Sequence, residues 1–242
     1  MPTDRLNRYL SRAAGVSRRT ADEMIRMGRV TVGKKPVLDP GTLLDSSRGE
    51  VRIDGTLLLD VPEEKIYLMA HKPDSVVTTM KDKEGRKTAG SLVGELSSRV
   101  FPVGRLDYHT TGLLLFTNDG DTAHGLQHPS REVEREYWLE VAGSLSKESV
   151  GRLLAGVDLE DGVARAVRVH DIRRGRISSE LHLVIAEGRK REVRRMMSHL
   201  GHAVMRLRRV RYGPVRLGGL ARGSWRDLTP NEVAALRTAA AG

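Results

Sequence analysis

A polar loop runs without a break into a wholly apolar segment at Gly104-Arg105-Leu106-Asp107-Tyr108-His109-Thr110-Thr111-Gly112-Leu113-Leu114-Leu115-Phe116-Thr117. Residues 112–117 offer no polar face to water and are bounded by turn signals, which predicts a short buried strand. A chain holding such a strand must build a real core around it. A length of 242 residues suffices for that without disulfide or metal staples. Asp107 then sits at the mouth of the core, not out in solvent. Asp is also common in turns and helix caps, so the residues alone leave both readings open.

Around this strand the remaining pattern sorts into two regions. Leu6, Tyr9, Leu10 and Ala13 recur at helical spacing over 4–14, and Gly15 stops them. Ser17 is placed to cap a second helix that ends at Gly28. Residues 30–32, 36–38 and 51–53 read as short strands, with turns at Gly33-Lys34 and Asp54-Gly55. Residues 1–61 therefore form an αα-plus-hairpin module, and Pro62-Glu63-Glu64-Lys65 reads as a linker. Residues 62–242 mix strands (66–69, 75–78, 112–117, 137–141, 180–186 and 204–211) with helices from 122, over 192–200 and for one turn at 232–236. The expected class is α+β, with a mixed, largely antiparallel sheet in the second domain.

Charge narrows the partner. Lys and Arg number 41 against 31 Asp and Glu, a net charge of +10. The excess is concentrated: 1–35 carries nine bases against three acids, and 187–226 twelve against two. Such density repels itself unless a polyanion balances it, so nucleic acid is the first expected partner. The absence of cysteine excludes disulfides, thiolate catalysis and Cys-based zinc sites. No apolar run approaches the roughly 18 residues of a membrane helix, and MPTDRLNRYL lacks a secretory signal. A cytoplasmic protein with no membrane partner is expected. No heptad run asks for a dimer, so a monomer is expected. Nine aromatics are too few for a multi-base stacking sheet.

Two families are then recognisable. RLNRYL…AGVSRRTADEMIRMGRVTVGKK resembles the S4 domain, an RNA-gripping αα-hairpin module. A DNA-reading helix-turn-helix is the other reading of two Arg-studded helices, but a β-hairpin follows here instead of a third helix. The resemblance implies phosphate contacts for the module's Arg5, Arg8, Arg18, Arg19 and Arg29, which anchor RNA without reading its sequence. The string GRLDYHTTGLLLFTND resembles the signature loop of RNA pseudouridine synthases of the RsuA/RluB type. His71-Lys72-Pro73, Glu136-Tyr137-Trp138-Leu139-Glu140-Val141, Glu187-Gly188-Arg189-Lys190-Arg191-Glu192-Val193-Arg194-Arg195 and Leu207-Arg208-Arg209-Val210-Arg211-Tyr212-Gly213 follow the family's order. The likeness covers about 66–236, and its C-terminal half is nearer the RluB-type members.

The resemblance implies isomerisation of a uridine in ribosomal RNA, the large-subunit 23S RNA first and the 16S RNA second. The reaction needs no cofactor and no metal. Asp107 is the implied catalytic carboxylate, acting as nucleophile at the anomeric carbon or as base at the 2′ position. In a mostly dry pocket it needs a cation nearby to stay charged, a role that falls to Arg194. Tyr137 stacks on the base, Leu207 walls the pocket, and Arg105 fills the space of a flipped-out base. Arg189, Arg191, Arg208 and Arg209 contact RNA. Each residue has a plainer reading: a solvated helix Arg for Arg194, a half-buried strand aromatic for Tyr137, core for Leu207, a phosphate contact for Arg105.

Three positions depart from the family pattern: Arg135 where Lys is common, Glu192 where Gln is usual, and Ser75 where Gly is common. His124 and His128 have helical metal spacing but lack a third ligand in register, so no metal site is expected there. His199 and His202 flank a helix end and read as capping residues. The rival functions are a non-catalytic ribosome-assembly factor with this fold, a hydrolase on RNA sugars, and a DNA-binding regulator. The hydrolase would need a second carboxylate, yet Asp119 and Asp121 lie beyond the apolar strand.

Overall fold

The computed structural model describes residues 4–44, 50–59 and 64–242. The chain divides into two compact units, Met1–Glu64 and Lys65–Gly242. The expected boundary at 61/62, with Pro62 beside it, lies outside the described residues.

In the first unit β1 (Asp4–Arg5) pairs with β4 (Leu43–Leu44), ahead of α1 (Leu6–Ala13) and α2 (Arg18–Arg26). Ser17 caps α2, its hydroxyl accepting from Thr20 N at 3.1 Å. Leu6 and Leu10 of α1 meet Ala21 and Ile25 of α2 over Val30 and Val51. Those valines belong to β2 (Val30–Val32) and β5 (Val51–Ile53), which form an antiparallel sheet with β3 (Lys35–Pro36) and β6 (Thr56–Leu57). Arg5, Arg18, Arg19 and Arg29 are exposed and Arg8 is half-buried. Two of these meet acids: Arg29 bonds Asp54, and Arg8 lies 3.6 Å from Asp4.

The second unit is built on one mixed sheet. Its strands are β7 (Tyr67–Lys72), β8 (Phe101–Val103), β9 (Thr111–Thr117), β10 (Arg135–Ala142), β13 (Arg168–Arg174), β14 (Ser178–Ile185), β15 (Val204–Tyr212), β16 (Val215–Arg216) and β17 (Trp225–Asp227). The order β13-β14-β10-β15-β9-β7-β17 is antiparallel throughout, except where β15 meets β9 in parallel. A hairpin of β11 (Val157–Leu159) and β12 (Gly162–Ala164) stands apart from it. The helices are α3 (Gly120–Gln127), α4 (Lys147–Ala155), α5 (Glu192–His199) and α6 (Pro230–Ala241). None of the described helices is long and apolar enough to cross a membrane.

The apolar run over β9 is explained by two cores. Leu114 and Phe116 face one with Tyr137, Leu139, Val193 and Met196, while Leu113 and Leu115 face the other with Leu126 and Leu236. A strand covered on both faces cannot alternate. In β10 one face only is covered. Tyr137, Leu139 and Val141 are buried, whereas Glu136, Trp138 and Glu140 point the other way.

Several expectations change. Residues 75–78 form no strand: Ser75 has φ +59°, and only an isolated bridge joins Val77 to Thr88. Val77 bonds Lys87 and Ala89, while Ser75 N and the Thr78 hydroxyl reach the loop that precedes β9. The single helix turn expected at 232–236 is part of the three-turn helix α6. Its start is fixed by a capping box between Thr229 and Glu232, and alanine is the best helix former. His202 caps no helix with its ring; Nδ1 lies 3.0 Å from the Ala142 carbonyl at the end of β10. The strand β13 and helix α4 carried no readable period, because β13 is an edge strand with charged side chains and α4 buries only Leu153.

Candidate active site

A cleft of about 580 Å³ opens on the covered face of the sheet, where the loop before β9, strand β10, strand β15 and the start of α5 converge. Asp107, Tyr137, Leu207, Arg105, Arg189, Arg191 and Arg209 all line it, although up to 104 positions separate them in the chain. Arg194 and Arg208 are not among the lining residues.

The loop carrying Asp107 is tied down carbonyl by carbonyl. Thr78 Oγ1 donates to Leu106 O at 2.7 Å, and Thr110 N closes a turn on Asp107 O at 3.0 Å. Ser75 N reaches Tyr108 O at 3.0 Å, and Arg194 Nη2 reaches His109 O at 3.1 Å. Lys72, fully buried, donates from Nζ to Tyr108 O at 3.1 Å, Thr110 O at 2.9 Å and Pro73 O at 3.0 Å. The Asp107 carboxylate itself accepts no hydrogen bond from a described residue. A rigid backbone thus presents a free carboxylate to the cleft.

Two cations address that carboxylate through space. Burial pushes the Lys72 ammonium down to about 8, against the pull of Asp74 and then Asp107. Burial also lowers the Arg194 guanidinium, followed by repulsion from Arg191, while Asp107 and Asp74 act in its favour. Arg194 makes no ion pair with Asp107. Its Nη1 and Nη2 hold the Val204 and His109 carbonyls, and Nε is buried without a partner. Its contribution is to position the loop and to supply positive potential.

Two side chains give the cleft apolar wall. Tyr137 is 9% exposed and Leu207 5%. Arg209 forms part of the floor, with Nε on Leu113 O at 2.8 Å and Nη2 buried without a partner. Arg105 and Arg191 are exposed at the rim, and Arg105 makes no hydrogen bond to a described residue. Arg189, expected on RNA, is spent within the protein: it bonds Glu187 at 2.6 Å and the carbonyls of Asp161, Gly162 and Val163 in the β11–β12 hairpin. Arg208, also expected on RNA, lies on the opposite face of the sheet, its guanidinium 5.0 Å from the ring centre of Trp138. Strand alternation forces this, since Leu207 and Arg209 already take the cleft face.

The three departures acquire reasons. Ser75 occupies a left-handed backbone position that favours glycine. Arg135 lies buried in the cleft wall, donating to Ala186 O and Leu126 O, each at 2.9 Å, and to the Tyr212 hydroxyl at 3.2 Å. A guanidinium offers two separate terminal nitrogens to these acceptors, which an ammonium does not. Glu192 is 3% exposed and lines the cleft. Its Oε2 accepts from Arg189 N at 3.1 Å, and burial raises its carboxyl above the usual range.

Lys72, Arg135 and Glu192 were not among the expected site residues. The lysine carried a signal: it comes just after the apolar stretch Tyr67-Leu68-Met69-Ala70 and His71, where a charged side chain must find buried acceptors. Its removal in Lys72→Met takes a donor from three carbonyls, of which Tyr108 O keeps Ser75 N. The expected cost is about 1–3 kcal/mol of stability, and turnover falls by roughly 10²-fold as the loop loses its place. In the unaltered protein, activity declines as pH rises past about 8 and Lys72 loses its proton. A pH–rate profile checks this, and that limb is absent from the residual activity of Lys72→Met.

Known proteins resemble this chain along nearly its whole length. The profile described as RNA pseudouridylate synthase matches residues 66–199, and that of the S4 domain matches 4–51. A ribosomal large subunit pseudouridine synthase B from Vibrio cholerae is 43% identical, over 97% of this chain and 74% of the relative. A protein of the same name from Bacillus subtilis is 37% identical, over 98% of this chain and 97% of the relative. A solved pseudouridylate synthase superposes with TM-score 0.70 at 28% identity, covering 96% of this chain and 99% of that one.

Proposed function

The chain belongs to the RNA pseudouridylate synthase family and carries an S4 domain, and we propose that it isomerises a uridine of ribosomal RNA, in the large subunit, with Asp107 as its catalytic carboxylate. The observation that carries the proposal is the Asp107 carboxylate, which accepts no hydrogen bond among the described residues, on a loop anchored by Lys72, Thr78 and Arg194. The large-subunit target rests on the names of the relatives from Vibrio cholerae and Bacillus subtilis. The small-subunit RNA is the second reading. A cytoplasmic location and a monomer go with this function.

In the reaction the N1–C1′ bond of the uridine breaks and a C5–C1′ bond forms. The C5 proton leaves and N1 gains one, so nothing is oxidised and no group is exchanged. Asp107 attacks C1′ or takes the 2′ proton, and both routes need a carboxylate beside the sugar. Tyr137 and Leu207 enclose the freed base between apolar surfaces, and the Tyr137 hydroxyl is available to the C5 proton. Lys72 and Arg194 hold the loop and supply positive potential. Arg135, Arg209 and Glu192 shape the floor and wall.

A uridine inside folded RNA must leave its stack, at a cost of a few kcal/mol. Arg105 stands exposed at the rim, two residues before Asp107, where a guanidinium fills the vacated place. The S4 domain grips phosphates through exposed Arg5, Arg18 and Arg19. Arg105→Ala is expected to slow single-turnover conversion of folded RNA by about 10-fold or more, with near-normal conversion of a substrate whose target base is already unpaired. Equal loss on both substrates makes Arg105 a phosphate contact instead.

The deciding experiment maps pseudouridine in unmodified 16S and 23S RNA, free and in assembled particles, after incubation with the purified protein. One new site in 23S RNA is expected. A site only in 16S RNA selects the second reading. Tight binding with no new site in any of these RNAs overturns the ribosomal assignment.

A further inference from the structure

The uncovered face of the sheet carries a second cluster that pseudouridine formation does not use. Glu136 of β10, His170 of β13 and His182 of β14 project from three neighbouring strands, and one ligand atom from each lies within 4.8 Å of the other two. His182 Nδ1 is 2.8 Å from Glu136 Oε1, and His170 Nε2 is 3.6 Å from the same oxygen. The two imidazoles are cross-strand partners with ring centres 5.1 Å apart. We infer that Glu136, His170 and His182 form a binding site for a divalent ion of the Zn²⁺ class, which clips the edge strand β13 to β14 and β10.

The surroundings are arranged as an outer shell. Asp171 Oδ2 lies 2.9 Å from His170 Nδ1. A carboxylate in that position accepts the Nδ1–H hydrogen bond, which keeps the proton on Nδ1 and leaves the Nε2 lone pair facing Glu136, the arrangement that orients metal-binding histidines. The chain departs from regular strand to make this contact. Asp171 has φ +50°, within a register shift between His170 and Arg173. Arg211 Nε holds the other carboxylate oxygen, Glu136 Oε2, at 3.0 Å, which leaves Oε1 as the single donor toward the histidines.

The geometry suits bonds of about 2.0–2.1 Å to nitrogen and oxygen, which place tetrahedral ligands about 3.3 Å from one another. The shared proton between His182 and Glu136 is released, their 2.8 Å contact opens slightly, and the rings turn inward. Glu136 is buried, while His170 and His182 are partly exposed, so water completes the coordination. Two imidazoles and one carboxylate favour Zn²⁺ over Mg²⁺, which demands oxygen ligands. Arg168, Arg211 and Arg216 line the same depression against Glu134, Glu136 and Asp171. With that balance of charge the site takes its ion by coordination and not by a bulk negative field.

The test is a calorimetric titration of Zn²⁺ into tag-free, chelator-treated full-length protein, with thermal melting alongside. One saturable site per chain is expected, with a rise in melting temperature that chelator reverses and no response to Mg²⁺. His170→Ala and His182→Ala each weaken binding by at least about 10-fold. Asp171→Asn, which tolerates the left-handed backbone, weakens it by about 10-fold while the fold is kept. His124→Ala is the control, because His124 and His128 form the other close imidazole pair, 5.5 Å apart on α3, and it leaves binding unchanged. Absence of a saturable site, binding that survives His182→Ala, or binding lost in His124→Ala overturns the assignment.

Discussion

Asp107→Asn is expected to reduce pseudouridine formation by roughly 10²–10⁴-fold or more, the range lost when a reacting acid–base group is removed. The same variant keeps its stability to within about 0.5 kcal/mol. Both expectations follow from one feature. The carboxylate accepts no hydrogen bond from a described residue, whereas the Asp107 carbonyl and its neighbours carry the contacts that fix the loop. An amide of equal size therefore leaves no buried partner stranded. Single-turnover conversion and thermal melting, measured on one preparation, check the pair of claims. A large loss of stability makes Asp107 a structural residue, and retained turnover removes it from the chemistry.

Gly112→Ala is expected to be the most damaging single-methyl change beside the cleft. An added Cβ lies 2.2 Å from the Arg209 carbonyl oxygen and 2.6 Å from its nitrogen, both backbone atoms. Gly112 also has φ +107°, which side-chain-bearing residues rarely adopt. The parallel contact between β9 and β15 is made at this point, Arg209 opposite Gly112 and Arg208 opposite Thr111. Overlap and backbone strain together cost ~3 kcal/mol. For a unit of this size that is a fall of roughly 6–12 °C in melting temperature. Turnover drops by at least about 10-fold even where the variant is folded, because the Asp107 loop and the Leu207–Arg209 wall meet through this join. Gly151→Ala, in α4 with nothing within 4 Å of the added carbon, is the control. It is expected to be neutral or stabilising by up to about 1 kcal/mol. Denaturant unfolding of both variants decides the matter, and equal midpoints remove the packing argument.

The chain's own order of residues determined much of this protein. Gly112–Thr117 has no polar face, so it had to become a strand enclosed by two cores. Ser17 ahead of an apolar period had to open a helix, and the α+β class followed from such local patterns. The family resemblance of the motifs around Asp107, Tyr137 and Leu207 pointed to three residues that line one cleft. Tertiary structure decided what these residues touch. That Lys72 reaches three carbonyls, that Arg194 steadies a loop without an ion pair, and that Arg189 is spent on a hairpin all depend on backbone acceptors far away in sequence. Residues 75–78 became a loop because Ser75 turns left-handed and Ser75 N and the Thr78 hydroxyl reach the segment carrying Asp107, while Val77 pairs with Lys87 and Ala89. His124 and His128 advertise a pair by spacing alone, while Glu136, His170 and His182 are joined only by strand register. Spacing along a chain encodes contacts within one element. Contacts between elements are set by which strand lies beside which, and that order exists only once the sheet has formed.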